Sequence, residues 1–150
     1  MTGLWVEKTA ARAALLLADG SVLRGTLYLA PFSPRHGGAQ TPAELLDECE
    51  PLLPFRRDDG SFALVGKAAV AAVRVDGPAE EYTDLLVRLP ARLRLNGGHG
   101  LDGLVLGEAG AGDRLSDLLN TPDAWVRLQE PQGLAWVAKR HLLTVEPSPA

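Results

Sequence analysis

The densest group of polar residues in this sequence lies at Arg114, Ser116, Asp117 and Asn120. A guanidinium binds carboxylates and other anions through paired N–H donors, so we interpret Arg114, Ser116 and Asn120 as a candidate partner-binding surface. The alternative is a local role, in which Asp113, Ser116 and Asn120 cap a short helix. Arg114 would then pair with Asp117, three residues further along the same helix.

Aromatic residues form the second candidate group, because Trp and Tyr contribute strongly to protein interfaces. We predict that Trp5, Phe55 and Trp125 bind a partner. Trp125 and Trp136 fall at predicted strand positions, so the alternative is that they pack in the core or join two parts of the chain. Trp5 precedes the first predicted strand, where it either holds the N-terminus against the second half or forms an exposed anchor.

The sequence contains no arrangement typical of an enzyme, a metal centre or a cofactor site. His36, His99 and His141 do not lie at a metal-ligand spacing from one another or from Cys49. Carboxylates on both sides of Cys49 disfavour the thiolate that a nucleophile needs. The glycine-rich residues 107–114 lack the Lys-Ser/Thr pair of a phosphate-binding Walker loop. We therefore predict a non-enzymatic protein that uses neither a metal nor a cofactor.

Composition narrows the class of partner. Hydrophobic residues make up 46% and charged residues 23% of the chain, and no apolar run approaches the roughly 20 residues of a membrane span. The net charge is −4, which argues against nucleic acid as a partner because neutralising phosphates supplies most non-specific affinity. The lack of such an apolar run predicts that the protein does not contact a membrane. A single cysteine excludes an internal disulfide framework, so we expect a cytoplasmic protein.

The second half of the sequence repeats the first. Residues 62–73 align with residues 134–145 at a constant offset of 72, and the alignment places Lys67 over Lys139. Further upstream, residues 44–47 align with residues 117–120 at an offset of 73, and residues 25–29 align with residues 103–107 at an offset of 78. A longer loop in the first copy accounts for this difference, because length variation is concentrated in loops. We therefore predict internal duplication of one small domain.

Each copy has the pattern of five short strands. Asp-Gly at 19–20 and Asn-Gly-Gly at 96–98 predict the turn of a hairpin between the first two strands. Gly25 and Gly103 fall inside the returning strands, where a glycine marks a bulge, a bend or close approach of another backbone. A short helix follows in each copy. In the first copy, Thr41 and Glu44 have the spacing of a capping box.

This pattern predicts a mainly β protein built from two tandem SH3-like or Sm-like barrels, each with one short helix between its second and third strands. The first barrel is predicted to span residues 11–76 and the second residues 91–146. Residues 77–90 would form the connector.

The second copy resembles a known family over residues 91–146. The segment that carries the resemblance is Arg114-Leu115-Ser116-Asp117-Leu118-Leu119-Asn120, followed by Trp125-Val126-Arg127-Leu128 and Val137-Ala138-Lys139. It is similar to small bacterial proteins of unknown function, which have a glycine-bearing hairpin, an Arg-Leu-Ser-Asp-x-Leu-Asn segment and an Sm-like barrel. The first copy departs from the motif, with Thr41-Pro42-Ala43-Glu44-Leu45-Leu46-Asp47 at this place. The resemblance implies a fold and no activity.

These observations favour a protein–protein interaction or adaptor module, because small β-barrels present strand edges that accept a further strand. The identity of the protein partner is open, and the same edges would also allow homo-oligomers. One alternative is nucleic-acid binding, by analogy with Sm-like barrels. Another is a small-ligand sensor with a pocket between the barrels near Arg114, Trp125 and His141.

Overall fold

The computed structural model describes residues 9–30, 40–76, 86–108, 110 and 112–149. Within these residues the chain forms ten strands, all paired antiparallel, two short α-helices and two 3₁₀ helices. The predicted mainly β class is confirmed.

The same order of elements occurs in both halves of the chain. The first half contains β1 (Thr9–Leu17), β2 (Val22–Leu29), α1 (Pro42–Leu46), β3 (Leu52–Arg57), β4 (Phe62–Gly66), a 3₁₀ helix (Lys67–Ala69) and β5 (Val70–Asp76). The second half contains β6 (Leu86–Leu95), β7 (Gly100–Glu108), α2 (Leu115–Leu119), β8 (Trp125–Glu130), β9 (Gly133–Ala138), a 3₁₀ helix (Lys139–His141) and β10 (Leu142–Pro147). Strand β6 therefore begins inside the predicted connector 77–90, of which residues 77–85 lie outside the described residues.

The described strands belong to one hydrogen-bonded sheet in the order β10-β6-β7-β8-β9-β5-β1-β2-β3-β4. Each half contributes five adjacent strands, and within each half the fifth strand lies beside the first. The halves are joined by antiparallel pairing of β5 with β9, in which Val73 lies opposite Trp136 and Arg74 opposite Ala135. We call this pairing and the side chains that cross it the junction. It leaves β4 and β10 as the two edge strands.

Aligned residues make matching contacts in the two halves. Lys67 Nζ donates to Glu48 O at 3.2 Å, and Lys139 Nζ donates to Thr121 O at 3.0 Å. The pairing of β5 with β1 and that of β10 with β6 both contain a register shift, which passes over Ala71 in β5 and over the aligned Leu143 in β10. The two halves thus share details of backbone pairing as well as element order.

Gly25 and Gly103 lie where two backbones come together, which is one of the three alternatives that the sequence left open. A Cβ atom on Gly25 would collide with the carbonyl oxygen of Arg56 in β3, and one on Gly103 would collide with that of Gln129 in β8. Close approach of the third strand of each half therefore requires a residue without a side chain at these positions.

The two short helices begin differently. Thr41 Oγ1 accepts a hydrogen bond from Glu44 N at 3.1 Å, and a Glu44 carboxylate oxygen accepts one from Thr41 N at 3.0 Å. This confirms the predicted capping box of α1. The prediction that Asp113 caps α2 is wrong. Arg114 is the N-cap residue, and its backbone N–H donates to Asp117 Oδ2 at 3.2 Å.

The buried side chains of the described residues form two hydrophobic clusters that the halves share. One cluster consists mainly of second-half residues but includes Leu16, Ala71 and Ala72 from the first half. The other consists of first-half residues, and Trp125 and Trp136 of the second half pack against it. Burial at the junction therefore contributes to the core of both halves.

Candidate functional site

A bidentate ion pair crosses the junction. Arg74 Nε donates to Glu130 Oε1 and Arg74 Nη2 donates to Glu130 Oε2, both at 2.9 Å. The Glu130 side chain is 10% exposed and the Arg74 side chain is 40% exposed, so the carboxylate is shielded from water while the arginine is partly solvated. The two parallel N–H donors of the guanidinium match the two carboxylate oxygens. The pair links β5 of the first half to β8 of the second.

Further second-half side chains bind backbone carbonyls of the first half. His99 Nε2 lies 2.7 Å from Leu17 O, and His141 Nε2 lies 2.7 Å from Ala68 O. Because a carbonyl oxygen only accepts, both rings donate through Nε2. Arg140 Nη2 also donates to Lys67 O at 2.9 Å. These contacts fix the turns and 3₁₀ helices of the two halves against each other.

Trp125 joins the two halves of the chain, which is one of the roles that the sequence analysis considered for it. Its indole Nε1 donates to Asp47 Oδ1 at 3.0 Å, just after α1. Trp125 and Trp136 also line a groove of about 480 Å³ between the halves. The other lining residues are Thr41, Ala43, Glu44, Asp47, Glu108, Asp123, Ala124 and Arg127. Two indole rings, four carboxylates and one guanidinium therefore surround one groove, and acidic groups outnumber the basic one.

The predicted surface at α2 is exposed and locally paired. Arg114 Nε lies 3.6 Å from Asp117 Oδ2, which confirms the predicted pair three residues apart. Arg114, Ser116 and Asn120 are all exposed, and Asn120 N donates to Ser116 O at the end of the helix. These three residues lie together on one short element, whereas Trp125 lines the groove at the junction.

Two other predicted binding residues do not contribute to a described surface. Phe55 is 0% exposed and belongs to the first-half hydrophobic cluster, so the prediction that it contacts a partner is wrong. The period-two alternation of β3 directs Leu53 and Phe55 into the core. Trp5 lies outside the described residues.

The two edge strands carry exposed hydrophobic side chains that the sequence analysis missed. On β4, Phe62 is 55% exposed and Leu64 is 61% exposed, and on β10 Leu143 is 61% exposed. The Arg56 guanidinium lies 5.8 Å from the centre of the Phe62 ring. The alternation of side chains along a strand could have identified these positions only if the covered face of each strand had been known.

Aspartates at two hairpin turns bind the serine two residues later. Ser21 donates to Asp19 Oδ1 from Oγ at 2.6 Å and from its backbone N at 2.9 Å. These hydrogen bonds, the side-chain one first, hold the pKa of Asp19 below its ordinary value. Hydrogen bonds from Ser61 lower the pKa of Asp59 in the same way, in the turn before β4. The ionised form of each aspartate therefore stabilises its turn.

The described residues contain no group of three or more His, Cys, Asp or Glu side chains placed to hold a metal ion. None of the helices found in these residues has the length and apolar character needed to cross a bilayer. Comparison with protein-family models, curated proteins and solved structures found no match to this chain. Function is therefore inferred from the geometry of the edges and of the junction.

Proposed function

We propose that this chain is a non-enzymatic protein-interaction module in which the edge strands β4 and β10 pair with a strand of a protein partner. The observation that carries the proposal is the exposed hydrophobic edge at β4. An edge strand presents unpaired N–H and C=O groups, and proteins normally protect such edges with charged residues, proline or a covering element. Strand β4 has the sequence Phe-Ala-Leu-Val-Gly, which contains no charged residue and no proline.

We further propose that the chain arose by duplication and folds as two tandem SH3-like or Sm-like barrels. The matching element order, the aligned contacts of Lys67 and Lys139, and the shared register shift support this proposal. Membership of the small bacterial family with the Arg-Leu-Ser-Asp-x-Leu-Asn segment and a cytoplasmic location are also proposed, on the sequence arguments given above.

Selection of binding peptides from a random display library tests the proposed edge function. We expect selected peptides to protect the backbone amide of Leu64 from hydrogen exchange, because a bound strand would use that N–H. Leu64→Lys should abolish binding, whereas Val22→Lys, which changes an exposed hydrophobic residue on an interior strand, should retain it. Peptides that bind Leu64→Lys as well as the unaltered protein and leave the edge amides unprotected would contradict the proposal.

A small-ligand sensor is the second candidate function, and the groove at the junction favours it. Indole faces and carboxylates together attract organic cations. Titration with tetramethylammonium should then shift the tryptophan fluorescence of the unaltered protein and have a smaller effect on Trp136→Leu. No shift up to molar concentration would exclude a site for such cations.

A further inference from the structure

We propose that the partner of these edges is a second copy of this chain, with β10 of one copy pairing antiparallel with β4 of the next. This inference rests on the proposed edge function and adds the identity of the partner. The junction inside the chain supplies the template. There, the fourth strand of the second half, β9, pairs with the fifth strand of the first half, β5. The two strands left at the edges are one fourth strand, β4, and one fifth strand, β10.

The register of the contact follows from the junction. Val73 lies opposite Trp136 there, and the sequence alignment places Val145 over Val73 and Leu64 over Trp136. Val145 of one copy would therefore lie opposite Leu64 of the next.

Backbone groups at both edges point in the direction that this register needs. Arg57 N donates to Ser61 O at 2.8 Å, so alternate residues of β4 bond to β3 and the N–H and C=O of Leu64 face the free edge. Ser148 N donates to Pro90 O at 3.3 Å, so by the same alternation Val145 faces the other edge. The next outward residue, Pro147, has no N–H and thus shortens the ladder by one bond.

Charges at the two edges are complementary in the same register. The junction contains the Arg74–Glu130 pair. Glu146 follows Val145 in β10 as Arg74 follows Val73 in β5, and Arg57 is the last residue of β3 as Glu130 is the last residue of β8, at an offset of 73. The contact between copies would therefore contain the same pair with its charges exchanged. Both Glu146 and Arg57 are exposed in the isolated chain.

The edges also expose hydrophobic positions that the junction buries. Ala71, at the register shift of β5, is 0% exposed. Leu143, at the matching shift of β10, is 61% exposed. Pairing with a second copy would cover Leu143 beside a strand that itself exposes Leu64, and burial of both side chains would favour association.

The contact between copies is expected to be weaker than the junction. At the junction, His99, Arg140 and His141 bind carbonyls of the first half. The first-half residues at the aligned positions are Ser21, Ala68 and Ala69. They have no imidazole or guanidinium group with which to make these contacts. Association should therefore be reversible and depend on protein concentration. Because the two edges differ, the contact is heterologous and produces rings or filaments.

Analytical ultracentrifugation of the whole chain over a wide concentration range tests the inference. As the protein concentration increases, we expect the mass to rise from the 15.9 kDa of one chain through multiples of that value to assemblies of more than two copies. Arg57→Glu and Glu146→Arg each place like charges at the contact and should weaken association about tenfold or more. Val22→Lys should leave it unchanged.

Mixing the two charge variants supplies the decisive measurement. In a mixture, Glu146 of the Arg57→Glu chain meets Arg57 of the other chain, and the substituted residues meet each other with opposite charge. Association should therefore return in the mixture and in the double variant. Circular dichroism checks that each variant is folded.

Three results would overturn the inference: a mass of 15.9 kDa at every concentration, a dimer that grows no further, or failure of the mixture to associate. A chain that stays monomeric yet captures display peptides at Leu64 would leave the proposed edge function standing and remove only the second copy as partner.

Discussion

Trp125 Nε1 donates a hydrogen bond to Asp47 Oδ1 across the two halves of the chain, over a distance of 3.0 Å. Trp125 also packs against the first-half hydrophobic cluster, so one side chain contributes both a polar and an apolar contact to the junction.

The first prediction concerns this hydrogen bond. Asp47→Ala removes the acceptor, and we expect the free energy of unfolding to fall by about 0.5–1.5 kcal/mol. Trp125→Phe removes the N–H donor and also part of the indole ring that packs against the cluster, so its loss should be larger. Urea denaturation of both single variants and the double variant measures the coupling between them. Additive losses would show that the hydrogen bond does not stabilise the protein.

The second prediction concerns the glycines at the closest backbone contacts. Gly25→Ala and Gly103→Ala should each destabilise the protein by roughly 1–3 kcal/mol or more, because the new Cβ meets a carbonyl oxygen of the adjacent strand. Gly66→Ala is the matched control. Gly66 has a φ of −64°, and a Cβ there would meet nothing within 4 Å. Equal melting temperatures for the Gly25 and Gly66 variants would contradict this account.

The third prediction concerns Lys67, which is 7% exposed. Lys67→Met keeps the aliphatic stem but removes the donor to the carbonyl of Glu48, so we expect a loss of about 1–3 kcal/mol in the free energy of unfolding. Lys139→Met should behave alike, since its Nζ binds both the backbone and the hydroxyl oxygen of Thr121 at 3.0 Å. Arg94→Met, at an exposed position, is the control and should have little effect. Unchanged stability of both lysine variants would refute the assigned role.

The fourth prediction concerns pH. The pKa of Asp19 is depressed in the folded protein, mainly by the Ser21 hydroxyl, so its contribution to stability is present above the unfolded pKa and is lost as the pH falls through the folded value. Ser21→Ala should raise the titration midpoint of the Asp19 carboxyl measured by NMR. The Asp59 midpoint should not change in that variant, and Ser61→Ala should raise it instead. A constant Asp19 midpoint in Ser21→Ala would disprove the assignment.

Local features were predictable from the sequence because their contacts lie within a few residues. The capping box of Thr41 and Glu44, the pair of Arg114 with Asp117, and the hairpin turns all involve neighbours in the chain. The prediction for Asp113 failed because Arg114, one residue later, is the N-cap residue of α2 and its backbone N–H donates to Asp117.

The sequence by itself determined the mainly β class, the order of elements and the alignment of Lys67 with Lys139, because strand alternation, turn residues and repetition are written along the chain. The tertiary structure alone decided that β5 pairs with β9, that Phe55 is buried, and that Phe62 and Leu64 remain exposed. Alternation states which residues share a face of a strand, but only contacts between distant segments determine which face is covered and which edge is paired.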